Sequence, residues 1–495
     1  MKAATISLQG VEWQYVSPEG RTLLADLAGD GFSGEIVKAI PKRQVVRRPG
    51  VFAKEVRYRG WAALFKTISG GTACREGRIS LKLAESGIAV PQVLAYGAEK
   101  QKSSIHRDLL LTREESGAKS MVEVVRGLYP QMPAREKFLL VEEFATFIKR
   151  LHDIGVFHAD LHIGNILWAP ERASGHRFVL LDTDRVTLKK GPLSKSQRTD
   201  NLALLLSNLW TLVSRSQRFR FLCVYGVHPD LEGRRFIAEL AAKALRHATK
   251  ICRKKALASL GNNRRFGKEE RNGFTVFYRK RPGVEAILDS LLVDPDGILE
   301  KGRILKAGNT VRAARVELNG RYYFLKRFNC KGWSYSLKNA FRRSRAVRSW
   351  LISWGFRLRS LPVPEPLICL EERRMRLLKR SYILFNFVEN SEPLTGVWPR
   401  LDAVEKKGIL ARLALLFGKL HLFGGVHGDL KWNNILVNGQ GALFLIDLDG
   451  SKIVGPGKYR SKRKDLDRFL VDLAKAQPGN KDQAFFLKCW ERWKS

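Results

Sequence analysis

No Cys-x-x-Cys pair occurs anywhere in this sequence. Its six cysteines (Cys74, Cys223, Cys252, Cys330, Cys369, Cys489) are scattered through 495 residues. That argues against a zinc site or a disulfide framework, and for reduced thiols in a cytosolic protein. Long apolar runs are missing too: the strongest, around "LALLLSNLWTLV", is too short to span a bilayer. The N-terminal "MKAATISLQGVEWQ" has no basic stretch leading into an apolar one, so no secretory signal is expected. Acidic residues are scarce, 48 against 88 lysines and arginines, for a formal charge of +40. An enzyme with a small neutral substrate has no use for that excess. It points to a polyanionic partner (nucleic acid, an anionic membrane or an acidic glycolipid) without choosing among them. What remains is the composition of a globular chain too long for one core of usual size, so two domains are expected.

What the chain does contain, it contains twice. Residues 155–168 read "GVFHADLHIGNILW" and residues 425–436 read "GVHGDLKWNNIL". Each has an Asp two residues after a His and an Asn five residues after that Asp. Apolar runs follow, "FVLLDTDRV" with Asp182 and Asp184, and "LFLIDLDGSKI" with Asp447 and Asp449. Asp200 then stands eighteen residues after Asp182, and Asp465 eighteen after Asp447. Upstream, "VFAKEV" places Lys54 and "YYFLKRF" places Lys326 in strand-like runs. Five elements recur in register at an offset of about 270 residues, which is the mark of a tandem duplication. The turn-rich stretch "RPGVEAILDSLLVDPDGILEKG" suggests a boundary giving domains 1–280 and 281–495.

These residue types suit phosphoryl transfer, which needs positioning and electrostatics more than covalent chemistry. A strand Lys holds the nucleotide phosphates: Lys54 and Lys326. A loop Asp orients the acceptor hydroxyl: Asp160 and Asp429. Hard oxygens hold Mg²⁺: Asn165 with Asp182, and Asn434 with Asp447. Together they form the pattern of the protein-kinase signature, and ATP and Mg²⁺ are the cofactors it implies. Glu76 lies on a helical pattern suited to pairing with Lys54. The matching position is Ser349, which leaves Lys326 without an evident carboxylate. Lys431 follows Asp429 where a cation could meet the transferring phosphate; His162 has that place in the first unit. Asp184 and Asp449 read equally as further metal ligands or as salt-bridge and turn residues. His158 and His427 are expected to support the loop, with Asp200 and Asp465 bracing it. "GDGFSG" (Gly29, Gly31, Gly34) fits a phosphate loop or an ordinary turn, and Gly308 with Lys306 or Lys38 is the alternative phosphate cover.

"FHADLHIGNIL…LLDTDRV…LSKSQRTDNLALL" and "VHGDLKWNNIL…FLIDLDGSK…RSKRKDLDRFL" resemble the lipopolysaccharide kinase family of the Kdo/WaaP type. The resemblance covers both halves, with the Asp-x-Asp-Arg turn and the Asn/Asp-Leu helix as its more specific parts. It implies an α+β fold: two tandem protein-kinase-like, bilobal domains, each with an antiparallel β-sheet N-lobe and a helical C-lobe. It implies phosphorylation of Kdo or heptose in the lipopolysaccharide inner core. The partners would be an acidic glycolipid (lipopolysaccharide core or lipid A) and an anionic membrane surface, with the chain cytoplasmic and peripheral at the inner face of the cytoplasmic membrane. The tandem arrangement departs from single-domain members. UbiB-type kinases carry a Lys-x-Gly-Gln motif and an Asp-Phe-Gly that are missing here, and aminoglycoside phosphotransferases favour acidic clefts. A pseudokinase scaffold and a Rio-like kinase are the rival readings; no nucleic-acid motif accompanies the charge. Residues 331–360 interleave basic residues (Arg342, Arg343, Arg345) with Trp333, Phe341, Trp350 and Trp354, and read either as a membrane-facing helix or as core aromatics with a solvated basic face.

Overall fold

The computed structural model describes residues 4–30, 33–101, 104–172, 175–209, 212–329, 340–375, 377–454 and 459–491. The chain forms two compact units, Met1–His247 and Ala248–Ser495. Each contains a seven-stranded antiparallel sheet. In the first unit the strand order is Ala4–Leu8, Val11–Tyr15, Val93–Gln101, Ser104–Arg113, Val51–Arg57, Arg43–Arg48, Glu35–Ile40. In the second it is Phe266–Arg271, Phe274–Arg279, Pro366–Arg374, Leu377–Asn386, Arg321–Phe328, Val311–Leu318, Arg303–Gly308. The two orders correspond strand for strand, so the duplication includes the opening hairpin.

That hairpin moves the boundary away from its expected place near residue 281. Phe274–Arg279 pairs with Pro366–Arg374 and therefore belongs to the second sheet. The division falls between His247 and Ala248, inside the helix Leu231–Leu257. A helix interior carries no Pro or Gly punctuation, so no turn signal marks the place.

A helical half follows each sheet. In the first unit the helix Ala134–Asp153 buries Leu140, Phe144, Ile148 and Leu151, spaced three and four apart on one face. In the second, Ala403–Leu422 starts at Asp402, which accepts from the Glu405 N–H in a capping box, and it buries Leu410, Leu413, Phe417 and Leu420. Around these helices gather the main cores, one centred on Phe144, Phe178 and Phe221, the other on Phe417, Phe469 and Phe486. The segment 331–360 divides where it is described: Phe341 is 87% exposed beside exposed Arg342 and Arg343, whereas the helix that follows takes the core reading. Trp350 is fully buried and Trp354 nearly so, both against Phe266, while Arg345 turns toward Asp449. Residues 331–339, with Trp333, lie outside the described residues, as does Gly31 of "GDGFSG". No helix among the described residues is long and apolar enough to cross a membrane.

Candidate active site

Lys54 and Lys326 occupy matching positions on the central strands Val51–Arg57 and Arg321–Phe328, paired in register with Leu110 and Ile383. Both side chains are buried, so each ammonium needs anions. In the first unit Lys54 meets Glu76, on the helix Thr72–Glu85, and Asp182 Oδ1 at 3.3 Å. In the second, Lys326 Nζ donates to Asp447 Oδ1 at 2.7 Å and to Asp449 Oδ2 at 2.9 Å. Lys326 therefore has the carboxylate that Ser349 could not supply. Asp449 is itself held by Ser349 Oγ (3.0 Å) and Arg345 Nη2 (3.0 Å), both on the helix Arg345–Arg357. The helix still reaches the lysine, but through the second Asp of Asp-x-Asp. In the first unit the helix ties to the same turn differently: Ser80 Oγ lies 2.9 Å from Thr183 Oγ1, which donates to the Glu76 carbonyl.

Asp182 and Asp447 both take left-handed backbone angles, φ 50° and 57°. Such angles are uncommon for residues other than glycine and concentrate at functional sites. Burial pushes both carboxyls up, but neighbouring cations more than offset it. Lys54 and Arg43 hold Asp182 at about 2, and Lys326 and Lys306 hold Asp447 at about 2. Arg43 Nη2 lies 2.7 Å from Asp182, and Lys306 Nζ 3.4 Å from Asp447. Glu76 moves the other way: its burial raises it further than Lys54 lowers it.

The two loops that carry Asp160 and Asp429 are built alike. Asn165 Nδ2 donates to the Asp160 carbonyl at 3.1 Å, and Asn434 Nδ2 to the Asp429 carbonyl at 2.8 Å. With Nδ2 so used, the amide oxygen is the atom left for a cation. In the first unit Glu76, Asp182 and Asp184 each offer a carboxylate oxygen, all within 4.8 Å of one another. Such hard donors fit Mg²⁺. His158 and His427 are supports, as expected. Each reaches a backbone carbonyl through Nε2 (Leu181, 3.3 Å; Ile446, 2.9 Å), and burial lowers both pKa values.

Asp465 braces its loop, accepting from the N–H groups of His427 (2.7 Å) and Gly428 (2.8 Å). Asp200 does not: it pairs with Lys243, and Asn201 takes the loop, accepting from His158 N–H at 3.0 Å and donating to its carbonyl. The equal spacing of eighteen misleads by one residue. The shared Asn/Asp-Leu pair, with Leu202 and Leu466 both buried, is the truer register. Lys431 Nζ lies 3.0 Å from Asp429, whereas His162 folds back to accept from the Gly164 N–H. The cation nearest Asp160 is Arg185, at 3.6 Å. Arg43, Arg345 and Asn201 are the site residues that sequence reasoning missed.

In the second unit these groups border a cleft of about 580 Å³. Its apolar walls include Leu305, Ala313, Phe385, Val388, Leu436 and Ile446, and Lys326, Asn434 and Asp447 also line it. A second space of about 200 Å³ shares Lys306, Asp447 and Asp449 with it and adds Gly308, Thr310 and Asp429.

The lipopolysaccharide kinase (Kdo/WaaP) family model matches residues 50–225 and again 297–490. The chain belongs to the lipopolysaccharide kinase (Kdo/WaaP) family. Membership in this kinase family makes it a phosphotransferase, and the two matches bear out the duplication. Over 242 residues it is 26% identical to the lipopolysaccharide core heptose(I) kinase WaaP of Pseudomonas aeruginosa, covering 46% of this chain and 90% of that protein. Over 141 residues it is 28% identical to the 3-deoxy-D-manno-octulosonic acid kinase of Actinobacillus succinogenes, covering 28% of this chain and 55% of that protein. A solved structure, WaaP in complex with acyl carrier protein, aligns with 48% of this chain and 98% of its own at 23% identity, with a TM-score of 0.38. The family is a kinase family, and the antiparallel sheets with their helical halves have the architecture expected of it.

Proposed function

We propose that the chain is an ATP- and Mg²⁺-dependent kinase that phosphorylates a sugar, Kdo or heptose, of the lipopolysaccharide inner core at the cytoplasmic face of the inner membrane, and that its second unit carries the chemistry. The observation that carries this reading is the sharing of Lys306, Asp447 and Asp449 by the two spaces of that unit. A cleft of about 580 Å³ has the size and apolar lining of a nucleotide pocket. Asp447 also lines the neighbouring space, which is bounded by Lys306, Gly308 and Asp429.

In that arrangement Lys326 and Lys306 hold the phosphate chain, and Asp447 with the Asn434 amide oxygen holds the metal, which supplies charge neutralisation at the transferring group. Asp429 accepts the hydrogen bond of the acceptor hydroxyl and orients it, and Lys431 faces the group in transfer. The excess of positive charge suits phosphorylated core sugars and an anionic membrane. In the first unit Lys54, Glu76, Asp160, Asn165 and Asp182 repeat the set, but three features favour a binding role for it. Arg43 occupies Asp182, His162 is turned inward, and the residues after the strand Ser104–Arg113 are charged and paired, Glu114 with Arg47 and Glu115 with Arg172. The matching positions of the second unit include Phe387 and Val388, which line the cleft.

The test is transfer of radiolabelled phosphate from ATP to purified core glycolipids. Asp429→Ala is expected to cost about 10²–10⁴-fold, as loss of a positioned base does, and Asp160→Ala much less. Wild-type transfer by the double variant would overturn the kinase reading. Loss through Asp160→Ala alone would reverse the division of labour.

A further inference from the structure

Between the lysine strand and the helix bearing Glu76, the first unit inserts a nine-residue helix, Trp61–Ser69. Gly60 (φ 58°) and Gly70 (φ 79°) turn the chain sharply into and out of it, in a region open to glycine at little cost. One face is seated. Ala63 is buried, and the Thr67 hydroxyl accepts from the Ile105 N–H at 2.9 Å while donating to the Ala63 carbonyl at 3.0 Å. Below it, Asp108 accepts from Tyr58 Oη and from the N–H groups of Ala73 and Cys74, which fixes both ends of the insertion to the sheet.

The opposite face is apolar and bare. Trp61 is 88% exposed, Leu64 55%, Phe65 67% and Ile68 85%. They stand at i, i+3, i+4 and i+7, one continuous stripe. Single exposed apolar residues are ordinary; four on one short helix mark an interaction surface. The surroundings choose the partner. Arg57 and Arg59 lead into the helix, Arg57 pairing with Glu55 at 2.9 Å, in a chain of charge +40, while Lys66 lies half-buried on the seated side near Asp108. An apolar stripe with a Trp at its end, entered through two arginines in a strongly basic chain, is complementary to an anionic bilayer: the ring and aliphatic groups enter the headgroup–acyl boundary and the arginines meet lipid phosphates.

We propose that the helix Trp61–Ser69 is a membrane-insertion element, bedding Trp61, Leu64, Phe65 and Ile68 into an anionic bilayer with Arg57 and Arg59 at its phosphates. It rests on the reading that the acceptor is a membrane-held glycolipid, and gives the first unit a task that needs no catalysis.

The test uses the full chain and vesicles of phosphatidylethanolamine with phosphatidylglycerol, free of lipopolysaccharide and ATP, so that its failure is separate from failure of the kinase reading. The variant Trp61→Ser/Phe65→Ser/Ile68→Ser, whose exposed positions leave the fold intact, is expected to lose at least about tenfold in vesicle partition. Arg59→Glu is expected to lose binding chiefly at low salt. In the wild type, brominated lipid should quench fluorescence that Trp61→Phe no longer shows. Equal sedimentation of the triple variant and wild type would overturn the proposal. So would a wild-type dimer that the triple variant splits while neither binds vesicles, because the stripe would then cover a second copy of the chain.

Discussion

Replacing Asp449 with Asn tests whether the second Asp of Asp-x-Asp anchors the lysine of the second unit. The carboxylate receives Lys326 at 2.9 Å, Arg345 at 3.0 Å and Ser349 at 3.0 Å, and its side chain is 19% exposed. Asn keeps the shape and one acceptor oxygen. It removes the anion and turns an NH₂ toward cations. Breaking a buried pair from one side costs about 3–5 kcal/mol. Here Lys326 keeps Asp447 and the site is partly solvated, so about 2–4 kcal/mol is expected. For a unit of about 250 residues, each kcal/mol moves Tm by about 2–4 °C, which puts the transition of that unit down by roughly 4–16 °C. Calorimetric scanning resolves it, and titration with Mg²⁺-ATP should show weaker binding because Lys326 loses its fixed position. Ser349→Glu in the Asp449→Asn background, which supplies the acid from the helix as Glu76 does, should recover part of both losses. A shift below about 2 °C with unaltered nucleotide affinity would refute the reasoning and reduce Asp449 to a turn residue.

Asp447 gives a pH test. Its folded pKa, about 2, lies below the ordinary carboxylate value of about 3.9, so its stabilisation is complete above about pH 4 and is lost as pH falls through about 2. Denaturant titrations at about pH 6 and pH 2.5 should show the wild type losing roughly 1–2 kcal/mol more than Asp447→Asn. Asp465→Ala strands the N–H groups of His427 and Gly428 and should cost about 2–4 kcal/mol; Asn201→Ala should resemble it, and Asp200→Asn should stay within about 0.5 kcal/mol, as judged by urea midpoints. Ala313→Phe places a ring in the cleft facing Lys326 and should weaken Mg²⁺-ATP binding at least about tenfold by calorimetry, with little effect if the first unit carries the nucleotide.

Much of this was legible because the site residues sit on short, strongly patterned segments. An apolar strand with one lysine, or a strand ending in Asp-x-Asp, fixes its local geometry almost alone, and the duplicate copy checks each reading. What failed was register across irregular connections. Equal counting passed from Asp182 to Asp200, yet the loops between strand and helix differ in length, and only the buried Leu after Asn201 and Asp465 keeps the phase. Partners that arrive from elsewhere in the fold left no local trace. Arg43 and Arg345 reach the Asp-x-Asp turns from a neighbouring strand and helix, and sequence spacing says nothing of that closure. The boundary was misplaced for a related reason: turn residues punctuate loops, and this division falls within a helix.

The two units solve one electrostatic problem in two ways. A buried lysine beside the first Asp of Asp-x-Asp takes a second carboxylate in both units. The first unit takes it from the helix, Glu76, and leaves Asp184 free to join Glu76 and Asp182 around a common point. The second places Ser349 on the helix and draws Asp449 inward, where Lys326, Arg345 and Ser349 engage both oxygens. Asp449 is thereby committed to the lysine, the arginine and the serine. Helix placement follows the same exchange. In the first unit the helix holds the lysine through the Glu76 side chain and the turn through Ser80 and the Glu76 carbonyl, whereas in the second the lysine, the turn and the helix all meet on one carboxylate. Displacing the second helix would release Lys326 and the Asp-x-Asp turn through a single group, whereas in the first unit separate contacts would have to break.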